Sequence, residues 1–163
     1  MQITRASDYA VRVMIHLGSL PLGSTVRQSE LSKATEVSGH FLSKVLQQLV
    51  RAGLIRSQRG AGGGYALAIS AGSISLLDVV EAIEGPLRLN QCLEEGPSCS
   101  RKAWCPAHQV WAEAQTAVTN VLGGNSIASL AARTEGLSYE LHDQTVWISG
   151  VPKKTREKRG HAN

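Results

Sequence analysis

This 163-residue sequence reads as mainly α with a small β-hairpin wing: a winged helix-turn-helix followed by one long dimerisation helix. Three observations lead there. Two short amphipathic stretches, RQSELSKAT and HFLSKVLQQLVRAG, flank the four-residue turn EVSG. LIRSQRGAGGGYALAIS then alternates as strand, glycine-rich turn and strand. Farther on, PAHQVWAEAQTAVTNVL places Ala107, Trp111, Ala114, Val118 and Val121 four and three residues apart, the seam of a helix that pairs with another.

Along the chain, residues 4 to 18 put Ala6, Tyr9, Ala10, Val13, Met14 and Leu17 on one helical face, with Thr4 or Ser7 to cap the start. SLPLGST is a loop punctuated by Pro21 and Gly23. Leu31 and Ala34 are expected to face inward from the next helix, and Gly39 lies near the end of the turn after it. The following helix has Phe41, Leu42, Val45, Leu46, Leu49 and Val50 as its expected buried stripe and Gly53 as its stop. Leu54 and Ile55 enter the hairpin, and Tyr65, Leu67 and Ile69 alternate on its return. SISLLDVVEAIEG is a helix capped by Ser73 or Ser75 and ended by Gly85, with Ile74, Leu77, Val80 and Ile83 packing back on the first half. Pro106 sits in the first turn of the long helix, where proline is tolerated. SIASLAART forms a short last helix; LHDQTVWISG receives no role. The expected organisation is a DNA-binding-type domain over 1–70, a linker helix, loop (91–108) and dimerisation helix (106–122) within 71–135, and an extension over 136–163 with a basic tail from about 150.

Hydrophobic content of 42% and charged content of 18% are those of a soluble globular protein. There is no run of eighteen apolar residues, and the first twenty residues lack a signal-peptide pattern, so no membrane partner and a cytoplasmic location are expected. In that reducing setting the three cysteines are not expected to form structural disulfides. Charge is divided unevenly. Residues 1–68 hold eight Lys/Arg against three Asp/Glu, a net +5, whereas residues 69–150 hold four against nine, a net −5. The tail KKTREKR adds five positive and one negative group. A basic first half calls for an anionic partner.

The helix after the turn presents His40, Ser43, Lys44, Gln47 and Arg51 on its outward face, with no carboxylate to repel phosphate. Lys and Gln suit base edges, and Ser and Arg suit phosphates as well. Arg27, opening the first short helix, and Ser38, within the turn, are further candidate DNA contacts; Arg56 and Arg59 approach the wing, where Gly62 and Gly63 let the backbone come near a phosphate. RGAGGG is not a nucleotide-cradling loop, because a strand follows it rather than a helix. Double-stranded operator DNA, read by a homodimer joined through the 106–122 helix, is therefore the expected partner. An enzyme is not expected: no nucleophile elbow or acidic orienter accompanies the thiols and five histidines.

MQITRASDYAVRVMIHLGSL, the SELSKATEVSGHFLSKVLQQLVRAGLIRSQRGAGGGYALA block, ISLLDVVEAIEG and the clustered cysteines resemble the Rrf2 family of bacterial transcription regulators over roughly residues 1–135. The resemblance implies a homodimeric winged-helix repressor or activator, with DNA affinity in many members switched by an iron–sulfur cluster near the dimer helix.

Cys92, Cys99 and Cys105 are separated by six and five residues, and His108 follows Cys105 after two. Gaps of that size can wrap an inorganic core larger than one ion, whereas zinc usually takes closer cysteine pairs. Cys105 at a helix start is favoured as thiolate. An iron–sulfur cluster is the leading reading, with zinc or metal-free thiol redox sensing as alternatives. The fourth ligand is open between His108 and Asp8 of a partner subunit. Cys105-Pro-Ala-His108 resembles the family's regulators of iron–sulfur biogenesis, which implies a 2Fe–2S cluster. The segment around Asp8 resembles its nitric-oxide-responsive members, which implies 4Fe–4S. The 2Fe–2S form is placed first. Nitric oxide, redox state, iron and cluster status all stand as signals.

Overall fold

The computed structural model describes residues 3–60, 62–94 and 99–134. Among these residues, six α-helices and one two-stranded sheet follow in order: α1 (Arg5–Gly18), α2 (Gln28–Thr35), α3 (Gly39–Arg51), β1 (Ile55–Gln58), β2 (Gly64–Leu67), α4 (Leu76–Glu84), α5 (Pro106–Gly123) and α6 (Ile127–Thr134). Short 3-10 turns occupy Ala71–Ser73 and Gln91–Leu93. The helix-turn-helix and wing thus stand where the periodicities placed them.

The core forms where the apolar faces of α1, α2 and α3 meet, closed by α4 and α6 lying against α1. Met14, Leu31, Leu42, Leu46, Leu49, Ile55, Ile74 and Ile127 have essentially no exposed surface. Each such side chain contributes about 1.5–3 kcal/mol by leaving water. Ile127 reaches so close to α1 that a methyl on Gly18 would lie 2.7 Å from its Cγ2. The starts of α4 and α6 are tied by two backbone bonds, from the Leu76 N–H to the Asn125 carbonyl and from the Ile127 N–H to the Ile74 carbonyl, each 2.8 Å. Among the described residues the buried polar side chains are Ser7 and Thr35, and no charged side chain is buried.

β1 and β2 pair antiparallel, Ile55 opposite Leu67 and Gln58 opposite Gly64. Val26, before α2, adds a third partner: it exchanges backbone bonds of 2.9 and 2.8 Å with Tyr65. Gly64 is needed there, since any Cβ would run into the Val26 carbonyl.

Several expected details are corrected. Ala34 is exposed and Thr35 is the buried residue, its hydroxyl donating to the Leu31 carbonyl at 2.6 Å. α2 ends on Glu36 in the left-handed conformation (φ 56°), and Gly39, at the end of the turn as expected, opens α3. Phe41 is 57% exposed rather than part of the buried stripe. With 100° per residue, Leu42, Val45, Leu46 and Leu49 centre one face, and Phe41 falls about 80–90° to its side. Ile69 is exposed, and on α4 the fully inward residues are Val79 and Val80, with Leu77 and Ile83 half-buried. Thr4 and Ser7 do not cap α1; both hydroxyls donate to the Glu84 carboxylate instead. Ser75, not Ser73, caps α4, accepting from the Asp78 N–H at 3.1 Å while Asp78 accepts from the Ser75 N–H at 2.7 Å. The extension over 136–163, including LHDQTVWISG and the basic tail, lies outside the described residues.

Candidate nucleic-acid interface and cysteine segment

The turn between α2 and α3 is held by side chains as well as by backbone. Gln28, in the first turn of α2, donates to the Gly39 carbonyl at 3.1 Å and to the Ser43 hydroxyl at 2.7 Å. Ser43 donates in turn to the Gly39 carbonyl at 2.9 Å, and Ser32 donates to the Val37 carbonyl at 2.6 Å. Ser43 is therefore half-buried and engaged within the chain, with its outward role reduced to one remaining lone pair. Gln28 was not singled out by sequence pattern; its bonds are made across eleven and fifteen residues, beyond the reach of helical spacing.

Ser38, His40, Lys44, Gln47 and Arg51 are exposed on or beside α3, and Phe41 joins them. Arg56 and Arg59 are exposed on β1 and at its end, so the wing extends the same cationic character. Arg12 and Asp8 form an ion pair, whereas among the described residues Lys44, Arg51, Arg56 and Arg59 have no carboxylate at that range. Cations left unpaired over one continuous helix and wing suit a polyanion. Arg27 is also exposed, and its N–H donates to Glu30 at 3.2 Å to start α2. In the wing, Gly60 has φ 110° and accepts from the Gly63 N–H at 2.9 Å. A Cβ on Gly63 would collide with the Gln58 carbonyl, whereas Gly62 is exposed with open space around it. Gly63 is thus required by the turn, and Gly62 leaves room for what approaches it. Thr25 braces the wing by donating to Gln58 at 3.1 Å.

The cysteines lie in the second half of the chain, between α4 and α5. Cys92 is in the 3-10 turn, Cys99 follows the segment 95–98 that lies outside the described residues, and Cys105 is the residue before α5. All three are free, half-buried thiols. His108, in the first turn of α5, donates its backbone N–H to the Cys105 carbonyl at 3.0 Å. Its imidazole Nδ1 is buried with no hydrogen-bond partner, the sole such side-chain atom among the described residues. A buried nitrogen left unsatisfied costs about 1–3 kcal/mol, so a ligand for it relieves a real penalty. The donor chemistry, three thiols and one imidazole in a first helical turn, fits an iron–sulfur cluster. No three His, Cys, Asp or Glu side chains among the described residues are gathered at metal-binding range, so the four groups are close in sequence without being assembled. Asp8 is ion-paired with Arg12 at 2.9 Å, and both side chains are about half exposed (51% and 48%). Within the chain, Asp8 is thus held one turn on by its own helix.

Gln115 of α5 fastens the approach to this segment. Its amide donates to the Leu87 carbonyl at 2.7 Å and accepts from the Leu89 N–H at 2.9 Å. Gln115 too was invisible to periodicity, because a polar residue between Ala114 and Thr116 reads as solvated surface. Beyond it, α5 buries no residue completely. Val110 is 63% exposed, Trp111 41% and Val121 65%.

A family model described as "Rrf2: Iron-dependent Transcriptional regulator" matches residues 3–133. The protein named rrf2 of Nitratidesulfovibrio vulgaris is 33% identical over 130 residues, which is 80% of this chain and 87% of that one. Among solved structures, CymR of B. subtilis, described as that organism's global cysteine regulator, matches with TM-score 0.65 and 26% identity over 82% of this chain and 98% of its own. IscR of T. potens matches with TM-score 0.67 over 83% and 90%; at 23% identity this is a likeness of fold. No described helix is long and apolar enough to cross a membrane.

Proposed function

Because this chain belongs to the Rrf2 family of transcriptional regulators, we propose that it is a homodimeric repressor whose operator affinity follows the state of an iron–sulfur cluster held in residues 91–108. Family membership makes it a DNA-binding regulator and not an enzyme. The finer reading rests on one observation: the buried, unsatisfied Nδ1 of His108 one helical turn from the half-buried thiol of Cys105. Cys92, Cys99 and Cys105 would hold the cluster with His108, and Asp8 of a second subunit is the competing fourth donor. When bound, a cluster supplies iron reactive toward redox agents and nitric oxide.

The protein's part is mechanical. α3 enters the major groove and the wing, through Arg56, Arg59 and the open side of Gly62, meets the flanking backbone. α5 pairs with its copy along the exposed apolar face. The segment 91–108 leads directly into α5, so the shape it takes around a ligand sets the direction in which α5 leaves. Gln115 and the Glu84 contacts transmit that direction to α4 and α1, on which α3 is packed. Two α3 helices read paired half-sites only when their separation fits, so a small change at α5 alters affinity for the whole operator.

The test is anaerobic purification, assay of iron and acid-labile sulfide with visible spectra, and binding to a duplex selected by the protein from a random pool, with the cluster present and after chelation. The expected difference in affinity is about 5- to 150-fold; equal affinities end the switching claim. Cys99→Ala should remove the visible absorption, and comparison of His108→Ala with Asp8→Ala identifies the fourth donor.

A second reading has support in the three free thiols that stand apart and in the likeness to CymR, a cysteine regulator. There the protein is a cluster-free thiol-redox regulator, or one containing zinc. Colourless protein, free of iron when prepared without oxygen, whose DNA binding responds to a thiol oxidant would establish it.

A further inference from the structure

We infer that Phe41 is a specificity-determining contact that packs its ring on the C5 methyl of a thymine in each operator half-site. The inference rests on the reading of α3 as the DNA-contacting helix. Phe41 is 57% exposed, and it is the one exposed large hydrophobic side chain on α3. Leaving an aromatic ring in water forfeits the stabilisation its burial would bring. On the helical wheel Phe41 lies about 60° to one side of Lys44, with His40 and Gln47 about 40° and 60° to the other. The ring therefore flanks the outward face and forms no part of the core stripe. His40 packs against it edge-on, with ring centroids 5.9 Å apart and planes at 77°. That contact steadies the ring without covering it.

The chemistry around Phe41 selects its occupant. The exposed neighbours on the same face are His40, Lys44 and Gln47, and α3 contains no carboxylate. An apolar partner protein would have to bury those cationic and amide groups, whereas duplex DNA satisfies them with phosphates and base edges. The first turn of the second helix in a helix-turn-helix is the part that reaches base edges. In the major groove a thymine is distinguished from the other three bases by its methyl group, the apolar feature that a phenyl ring can meet.

The experiment uses full-length protein and a duplex that the protein itself selects from a random pool. Thymines are replaced one at a time by deoxyuridine, which removes the methyl and keeps the pairing edge. Wild-type protein is expected to lose roughly fourfold in affinity at one thymine per half-site, the value of one buried methyl. Phe41→Ala should bind the thymine duplex more weakly and be indifferent to uridine at that position, while Phe41→Leu should stay sensitive. Thermal melting checks that both variants fold. Indifference of the wild type to uridine everywhere, or equal sensitivity in wild type and Phe41→Ala, overturns the inference while leaving DNA binding intact. Failure of the wild type to select any duplex would instead overturn the premise about α3.

Discussion

Glu84, the last residue of α4, accepts from three donors at the start of α1: the Ser7 hydroxyl, the Thr4 hydroxyl at 2.6 Å and the Thr4 N–H at 3.1 Å. Those bonds favour the charged carboxylate. The Ser7 contact is the largest cause and the Thr4 hydroxyl the next, partly opposed by burial, and the pKa is held below its ordinary range. A carboxylate with a lowered folded pKa stabilises the protein above its unfolded pKa, and that contribution disappears as pH falls through the folded value. Glu84→Gln should therefore lower stability at neutral pH by about 1 kcal/mol, a figure kept small for an exposed group. The gap between wild type and variant should close on acidification. Urea midpoints measured from neutral pH downward check this; a gap independent of pH would mean that the carboxylate's charge is irrelevant. Thr4 and Ser7 read as caps in the sequence because they precede an apolar periodicity. Their partner is about eighty residues away, and no local pattern reports it.

The helix α5 divides its circumference into two roles. One side contains Gln115 and His108 and is turned toward the chain's own 87–89 segment and interior. The other contains Val110, Ala117 and Val121, exposed within 40° of one another, with Ala114 beside them and Trp111 about 100° round from Val110. Spacing identified Ala107, Trp111, Ala114, Val118 and Val121 as the seam; the exposures move its centre toward Val110 and Ala117. The expectation of a paired helix stands as part of the proposal. Val121→Glu places a carboxylate in that seam, where it would be buried without a partner. Sedimentation should show a monomer, and affinity for a two-half-site operator should fall by at least about tenfold, since one winged helix then reads one half-site. A dimer that persists would locate the pairing surface elsewhere.

For the molecule as a whole, charge polarity and unpaired cations define how it meets DNA. Residues 1–68 bear the net +5, and the exposed Lys44, Arg51, Arg56 and Arg59 belong to that half. Binding should weaken steeply with salt through counterion release. If Arg59 contacts a phosphate in each subunit, Arg59→Ala should reduce the slope of log affinity against log salt by about 2 for the dimer, with no change in the preferred sequence. An unchanged slope would remove the wing arginine from the backbone contacts. Phe41→Ala should differ in kind, altering sequence preference with little effect on the salt slope.

The order of elements, the outward face of α3 and the glycine-rich wing were legible in the residues, because each rests on contacts within about one helical turn or one hairpin. Local periodicity also separated the core-facing Leu42, Val45, Leu46 and Leu49 from the outward Lys44, Gln47 and Arg51. Folding in three dimensions was required to place Phe41 outside, to draw Ser43 into the Gln28 bond, and to join Thr4 and Ser7 to Glu84. It was also required to leave the imidazole of His108 buried without a partner. These depend on which neighbouring element occupies the space beside a residue, and burial and long-range hydrogen bonding are properties of that space rather than of the order of residues along the chain.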